Sequence, residues 1–300
     1  MLTEAHRRGI EPVELQLDFD AATSRLDVYR ALLQAVRREV RPPKLVITTL
    51  PDWLRSPAFA ALVAETDSYV LQVHSLEKPG TIDDDFTLCD PAKAMAWIER
   101  AAQLGHPFRV ALPSYGYRLV FDAAGKFTAL EAEGPTQKWP EGFSRRAVIA
   151  DATEIAHCVQ LLLATPPRGC EGLAWFRFPT ADDELAWAWP TLRSVMQGRI
   201  PPARLVLQGM PAVNGTLDLI LANTGETNAE PVAFRVTWQD ARLLAADALA
   251  GWQLEREGPT TLIVRPPPHG SNGSLRPGDT LQVAWLRFDR VAELRSEQLP

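Results

Sequence analysis

The first half of the chain alternates short apolar runs with longer amphipathic stretches. The apolar runs end in turn-forming or polar residues, as strands do. The stretches between them repeat apolar residues with the period of an α-helix, and Leu26, Tyr29 and Leu33 share one such stripe. This alternation predicts a parallel sheet with crossover helices. The predicted strands are 13–20, 44–51, 69–75, 108–114 and 172–179, and the predicted helices are 25–39, 91–104 and 151–164.

The pattern changes after residue 200, where Pro201-Pro202 marks a linker. Beyond it, apolar and polar residues alternate in short segments separated by Asn, Gly and Pro turns, and only the Ala/Leu-rich stretch 241–250 has a short helical period. This half predicts an antiparallel β-sandwich of about a hundred residues. We therefore expect two domains, residues 1–200 and residues 203–300. The predicted sandwich strands include 217–221, 232–238, 262–264 and 280–286.

Composition narrows the class of protein. The chain has 300 residues, of which 46% are apolar, with nine Trp and eleven Phe, so a large core is expected. Its net charge of −6 is spread without long like-charge runs, so we expect no nucleic-acid partner and no polybasic membrane patch. No apolar run is long enough to span a bilayer. The three cysteines lack the paired spacing of metal or redox sites and are interpreted as core thiols.

The first predicted strand carries a polar face. A strand over 13–20 would aim Glu14, Gln16, Asp18 and Asp20 at one side of the sheet. Burying ionised carboxylates without partners costs several kcal/mol, roughly, so this face is either solvated or functional. In parallel α/β folds ligands bind at the carboxyl ends of the strands. The polar and aromatic residues expected to converge there are Asp18, Asp20, His74, Ser75, Tyr115, Tyr117, Trp175 and Arg177.

The motifs on these strands resemble those of two families. Gln16, Asp18 and Asp20 match the last three positions of the acidic motif on the fourth strand of chitinase-like, glycoside hydrolase family 18 barrels. The sixth-, seventh- and eighth-strand elements of those barrels match Gln72-Val73-His74-Ser75, Pro113-Ser114-Tyr115-Gly116 and Trp175. Over nearly its whole length the chain is similar to the bacterial family of unknown function DUF3142. The segments that carry this likeness are Leu-Gln-Leu-Asp-Phe-Asp, Leu-Gln-Val-His-Ser, Arg-Val-Ala-Leu-Pro-Ser-Tyr-Gly and Trp-Phe-Arg-Phe-Pro.

The resemblance implies an α/β fold of the (β/α)8 TIM-barrel type. Such a barrel generally needs about 250 residues, whereas the barrel-like part has about 200 and five predicted strands. About the first three strands are therefore expected to be missing. We expect them to come from an N-terminal segment outside this sequence or from a partner. A longer native protein would be exported to the envelope or periplasm; otherwise the localisation stays open.

The sequence also departs from the chitinase pattern. Asp20 occupies the position of the general acid, where the family has Glu, and the first acidic position falls on Val13. A His-Ser pair beginning at His74 replaces a Tyr-Asp pair, so substrate-assisted attack by an acetamido oxygen is not expected. A second register stays open, with Ala22 at the acid position and Asp18 and Asp20 as the two inner carboxylates.

Asp18 and Asp20 are the candidate catalytic pair, one neutral as general acid and one ionised. In the structural alternative both carboxylates accept hydrogen bonds, for example from Arg177 or Tyr115, and tie the barrel top together. The aromatic candidates offer flat faces to sugar rings, and the polar ones offer hydrogen bonds. The predicted substrate-binding residues are Gln16, Gln72, His74, Tyr115, Tyr117, Trp175 and Arg177.

The leading functional hypothesis is a glycoside-hydrolase-like protein that acts on or binds an oligosaccharide. The alternative is a catalytically inactive scaffold of the cell envelope. A second alternative is a metal-dependent hydrolase or deacetylase in which His74 joins Asp18 and Asp20 around a divalent cation. No H-x-x-H spacing supports that alternative, and no glycine-rich nucleotide motif is present, so neither a metal site nor a cofactor is predicted.

Overall fold

The computed structural model describes residues 2–74, 79–135, 137–180, 182–212, 215–268 and 273–299. The chain packs as two compact units, Met1–Trp187 with Val195–Arg199, and Ala188–Ser194 with Ile200–Pro300. The elements from the amino end to the unit boundary are α1 (Leu2–Arg7), β1 (Leu15–Leu17), α2 (Leu26–Glu39), β2 (Leu45–Thr49), α3 (Pro57–Val63), β3 (Ser68–Gln72), α4 (Pro91–Leu104), β4 (Phe108–Pro113), β5 (Gly116–Phe121), β6 (Phe127–Glu131), β7 (Ser144–Ile149), α5 (Ala152–Ala164), β8 (Cys170–Phe176) and α6 (Trp189–Met196).

A five-stranded parallel sheet forms the centre of the first unit. Its strands lie in chain order, β1-β2-β3-β4-β8, and all four neighbouring pairs are parallel. Leu45, Ile47 and Leu71 share one face of the sheet and are fully buried, as are Leu33 of α2 and Ile98 of α4. The predicted mixed α/β organisation, a parallel sheet accompanied by antiparallel sheets, is confirmed.

The two long helices that follow β3 and the antiparallel insertion begin at capping aspartates. The side chain of Asp90 accepts hydrogen bonds from the backbone N–H groups of Ala92 and Lys93, at 2.9 and 3.1 Å, and Asp151 caps α5 in the same way. Helix α4 ends at Gly105, whose φ of 70° lies in the left-handed region that favours glycine. These local signals explain why the bounds of both helices could be predicted closely.

The other face of the parallel sheet carries small apolar and polar side chains. Val46, Val70 and Ala111 are buried there, with Ala174 packed against them. At the edge nearest β1, Gln16 donates a hydrogen bond of 2.9 Å to Thr48 Oγ1. The predicted polar face therefore exists over residues 14–16: Gln16 has its partner on β2, and Glu14 forms an ion pair of 2.8 Å with Arg109 on β4.

The first strand is shorter than predicted. It ends at Leu17, and the chain turns at once, because the N–H of Ala21 donates to the carbonyl of Phe19 at 2.9 Å. The prediction of a strand over 13–20 is therefore wrong at its carboxyl end. Asp18 and Asp20 lie in the loop after β1 rather than on the sheet.

A three-stranded antiparallel sheet, ordered β6-β5-β7, is inserted between β4 and α5. The sequence pattern predicts no element between residues 114 and 151. The insertion closes at its base, where Gly116 pairs with Ile149 and the N–H of Ala150 donates to the carbonyl of Tyr115 at 3.0 Å. A Cβ atom at Gly116 would lie 2.2 Å from the carbonyl oxygen of Val148, so the close approach of the two strands requires glycine.

The second unit consists mainly of two four-stranded antiparallel sheets, ordered β12-β15-β10-β9 and β13-β14-β11-β16, whose inner faces share one core. Leu219, Val236 and Leu286 are among the core residues. The predicted helical period over 241–250 is wrong: residues 243–248 form a strand paired with β15, because the ladder overrides the high helix propensity of Ala and Leu. The strands are β9 (Leu205–Pro211), β10 (Leu217–Asn223), β11 (Phe234–Trp238), β12 (Leu243–Ala248), β13 (Gln253–Gly258), β14 (Thr261–Arg265), β15 (Thr280–Phe288) and β16 (Leu294–Gln298).

No helix within the described ranges combines the length and apolar character needed to cross a bilayer.

Candidate functional site

Four rings meet at the carboxyl ends of β3, β4 and β8, and we call His74, Tyr115, Tyr117 and Phe176 the ring group. The Phe176 ring stacks on the His74 imidazole, with centroids 6.0 Å apart and an interplanar angle of 23°. Tyr115 meets both of these rings edge to face, at 5.4 and 5.1 Å, and also meets Tyr117 at 5.1 Å. Three predicted site residues, His74, Tyr115 and Tyr117, are thus brought together, while Ser75, which was expected beside them, lies outside the described residues.

His74 lies at the bottom of the ring group. Its Nδ1 is 3.1 Å from the hydroxyl group of Tyr115, while its Nε2 is buried and has no hydrogen-bond partner within the described residues. Burial lowers the pKa of His74 to about 4, so the imidazole is neutral at pH 7. A neutral imidazole has one donor and one acceptor nitrogen, so the tautomer decides which partner Nε2 would take.

Tyr115 is positioned by the chain on both sides of it. Burial, followed by its hydrogen bond with Tyr117, raises the pKa of Tyr115, so the phenol keeps its proton. The preceding residue, Ser114, ties β4 to the end of β8: its N–H donates to the carbonyl of Phe176 at 2.8 Å, and its hydroxyl donates to the carbonyl of Arg177 at 2.6 Å. The strand ends that carry the rings are therefore held in a fixed register.

Trp175 lies on the other face of β8 from the ring group. In the ladder Trp175 pairs with Leu112, which is fully buried, whereas Ala174 packs against the small apolar cluster on the opposite face. The Trp175 ring is 6.3 Å from the ring of Trp187. Because side chains alternate between the faces of a strand, Phe176 and not Trp175 belongs to the ring group. Phe176 was not predicted as a site residue from the sequence.

Two phenylalanines at the end of β8 expose much of their surface. Phe176 is 46% exposed and Phe178 is 67% exposed, which is unusual for large apolar side chains. The sequence contained a signal for them, because Trp-Phe-Arg-Phe-Pro places aromatic residues on both faces of a strand. The sequence alone could not tell which of these two faces points to the interior of the sheet.

Asp18 and Asp20 are exposed in the loop after β1. Between them, the ring of Phe19 packs edge to face on Tyr29, with centroids 5.4 Å apart. Burial raises the pKa of Tyr29 to about 12, and the negative charges of Asp18 and Asp20 add to the effect, so both carboxylates lie close to this phenol. Within the described part of the chain, no hydrogen bond, ion pair or ring contact joins either aspartate to the ring group.

Arg177 forms an ion pair with Asp183, which is only 2% exposed. In the structural alternative Arg177 would bond to Asp18, and the structure does not show that contact. The Asp183 carboxylate also accepts a hydrogen bond of 2.7 Å from the N–H of Thr180. Burial acts to raise the pKa of Asp183, but the hydrogen bonds from Thr180 and Arg177 outweigh it, and the pKa is lowered overall. Arg177 therefore fixes the loop that follows Phe176.

The two predicted glutamines occupy different places. Gln16 is engaged with Thr48 at the β1 edge of the sheet. Gln72 ends β3, half-buried, and pairs in register with Ala111. A cavity of about 340 Å³ lies beside the end of β3, and its lining includes Val73 and Trp97.

The second functional alternative required His74, Asp18 and Asp20 to surround a cation. Among the residues with described positions, no group of three or more His, Cys, Asp or Glu side chains is arranged to hold a metal ion. The contact of His74 Nδ1 with Tyr115 also ties the imidazole to the ring group rather than to the aspartates.

Comparison with known proteins gives one family match. The model of the family described as "Domain of unknown function (DUF3142)" matches residues 1–181. A search of curated proteins found no match.

Several solved structures are similar to the chain at low identity. A chitinase from Chromobacterium violaceum ATCC 12472 has 14% identity and a TM-score of 0.43, over 66% of this chain and 68% of that one. The chitinase ChiA74 from Bacillus thuringiensis has 10% identity and a TM-score of 0.39, over 98% and 75%. The Bacillus cereus spore cortex-lytic enzyme SleL has 14% identity and a TM-score of 0.42, over 66% and 51%.

Proposed function

The chain belongs to the DUF3142 family, and from this premise we propose that its parallel-sheet unit binds an oligosaccharide, and acts on it, at the carboxyl ends of the strands. The binding surface in this proposal consists of the exposed rings at the end of β8, and the reacting groups are the two aspartates after β1. The protein would then be a glycoside-hydrolase-like protein.

One observation carries the proposal: Phe176 is 46% exposed, although its ring stacks on the buried His74 and meets the buried Tyr115 edge to face. Apolar C–H faces of sugar rings stack on such flat aromatic surfaces. A rigidly supported ring loses little conformational freedom on binding, so it suits a ligand platform better than a mobile one. Phe178, two residues further on, would extend the platform along the chain.

Asp18 and Asp20 supply the second requirement of glycosidic chemistry. Cleavage of the bond between the anomeric carbon and the leaving oxygen needs a proton for that oxygen and a negative charge near the carbon, and water supplies the final hydroxyl group. In our proposal Asp20 donates the proton and Asp18 remains ionised. Both side chains are exposed in a loop, where a substrate can reach them.

The fold part of the proposal assigns the five parallel strands to positions four to eight of a (β/α)8 barrel. Its support is the chain order of the strands, together with the small apolar cluster on the face opposite the helices, where a barrel has its interior. The motif positions assigned by resemblance follow the same order along the sheet.

The test is a glycan-array measurement on the full chain, with hydrolysis followed by reducing-end release on each glycan that binds. We expect Phe176→Ala to weaken binding about tenfold, and Asp20→Asn to leave binding intact while abolishing hydrolysis. Leu161→Ala is the matched control, because Leu161 is 57% exposed on helix α5.

The outcomes separate the candidate functions. Binding without turnover in the wild-type protein would reject the catalytic role of Asp18 and Asp20 and retain the binding role. Equal glycan binding by the wild-type and Phe176→Ala proteins would reject the ring platform. A wild-type protein that binds no glycan would favour the inactive scaffold.

A further inference from the structure

The outer face of one sandwich sheet in the second unit carries an isolated tryptophan. Trp285 lies in the middle of β15, where its neighbours Ala284 and Leu286 are fully buried in the core. Strand alternation therefore aims Trp285 at the opposite face, away from the core. The indole is only half-buried there, so packing inside the sandwich does not account for its position.

Polar side chains border the indole on the neighbouring strands. In register, Asp218 of β10 lies on one side of Trp285 and Asp247 of β12 lies on the other. Met210 of β9 continues the same row beyond Asp218 and is 51% exposed. The row crosses all four strands of the sheet in the order Met, Asp, Trp, Asp.

A shallow cavity of about 620 Å³ lies over the central pair of this row, Asp218 and Trp285, and its lining also includes Gln282 and Arg287. Its volume is in the range of small-molecule sites, which are about 300 to 1,000 Å³. Across from Arg287 in the ladder stands Ala245, whose short side chain leaves room beside the indole.

The polar groups of this face are uncommitted. Within the described residues, the side chains of Asp218, Asp247, Gln282 and Arg287 make no hydrogen bond and no ion pair. The face therefore combines one flat apolar surface with carboxylate, amide and guanidinium groups whose hydrogen-bonding capacity is available to a ligand.

We propose that this face, with Trp285 at its centre, is a second binding site and that its ligand is an uncharged oligosaccharide. A sugar ring presents an apolar C–H face to the indole and hydroxyl groups at its rim to the surrounding carboxylates, amide and guanidinium. The two aspartates flanking the indole disfavour a polyanionic glycan. A protein partner would need a broader apolar patch than one indole and one methionine.

This site is independent of the ring group in the first unit. It would hold the protein on a polysaccharide whether or not the first unit cleaves a glycosidic bond. The two proposals therefore fail separately.

The experiment measures retention of the full chain on insoluble chitin, cellulose and xylan, with polygalacturonate as the anionic probe. We expect at least one neutral polymer to retain the wild-type protein, Trp285→Ala to bind about tenfold more weakly, and Trp285→Phe to recover most of the affinity. Glu255→Gln, on the outer face of the other sheet, is the control and should bind like the wild-type protein. Thermal unfolding verifies that each variant is folded.

Trp285→Ala is also made in the Phe176→Ala background. The loss of retention that Trp285→Ala causes should be the same there if the two sites are separate. Equal retention of the folded wild-type and Trp285→Ala proteins would overturn the proposal. Retention by polygalacturonate alone, or by none of the four polymers, would also overturn it.

Discussion

The hydroxyl group of Tyr115 lies 3.1 Å from Nδ1 of His74, and both side chains are buried. This contact joins the end of β4 to the end of β3 beneath the exposed ring of Phe176. Nε2 of the same imidazole has no partner within the described residues. Among those residues, the contact with Tyr115 is therefore the one hydrogen bond that the imidazole makes. The Tyr115 contact therefore supports the proposed platform together with the hydrogen bonds of Ser114 to the end of β8.

Tyr115→Phe should lower the free energy of unfolding by about 1 to 3 kcal/mol, because it leaves a buried imidazole without any hydrogen bond. Urea unfolding measures this loss. The matched control is Tyr29→Phe, since the hydroxyl group of Tyr29 is buried without a partner among the described residues and its removal should cost nothing. Similar losses in both variants would argue against a structural role for the contact.

Burial of His74 predicts a pH dependence of stability. Its pKa is about 4 in the folded protein against an ordinary value of 6.5, so between these values the unfolded chain binds more protons. This contribution to stability is present above pH 6.5 and is lost as the pH falls towards 4. The loss should reach about 3 kcal/mol.

The comparison that isolates His74 is the difference in free energy of unfolding between the wild-type protein and His74→Gln. That difference should shrink as the pH falls from 6.5 to 4. Burial also lowers the pKa of His106, but His106 is present in both proteins and cancels in the difference. A difference that stays constant over this range would refute the buried, neutral histidine.

Asp183→Ala should destabilise the first unit by about 2 kcal/mol, because the N–H of Thr180 and the guanidinium of Arg177 lose their common acceptor. The loop that follows Phe176 would loosen, so glycan binding should weaken as well. Asp182→Ala, at the exposed neighbouring position, is the control. Unfolding midpoints and glycan titration check both effects, and equal behaviour of the two variants would count against this anchoring role.

Gly116→Ala should lower the free energy of unfolding by about 2 kcal/mol, because the added methyl group would meet the backbone of Val148 at 2.2 Å. The control is Gly258→Ala, where φ is not in the left-handed region and the nearest atom to a Cβ would be 4.0 Å away. Thermal unfolding of both variants gives the comparison. No loss at Gly116 would mean that β7 can move away.

Local sequence signals predicted much of the first unit. Helix α4 was predicted at its observed bounds, because Asp90 and Gly105 mark its two ends chemically. The inserted sheet was missed, since its two outer strands, β6 and β7, are only partly buried. Residues 241–250 were misjudged because pairing with β15, a tertiary effect, decides their conformation.

The candidate site was harder to predict than the fold. Alternation along β8 places Trp175 and Phe176 on opposite faces of the sheet, but which of them contacts His74 depends on the register with β4. Pairing of Ala174 with Ala111 settles that register, and no local pattern encodes it. The same limit applies to Asp18, since the turn of the chain after Leu17 depends on contacts beyond the strand itself.

The closed base of the antiparallel insertion has an evolutionary consequence. The backbone hydrogen bond of 3.0 Å from the N–H of Ala150 to the carbonyl of Tyr115 means that the chain leaves β4 and returns to α5 at nearly the same point. Exchanging residues in the turns of the insertion would therefore alter neither the span between β4 and α5 nor the ladder with β8. Residues 119–121, which are fully buried, and Glu133, which accepts hydrogen bonds from Glu184 and Leu185, would have to be kept, so new specificity can be acquired only at the remaining turn positions.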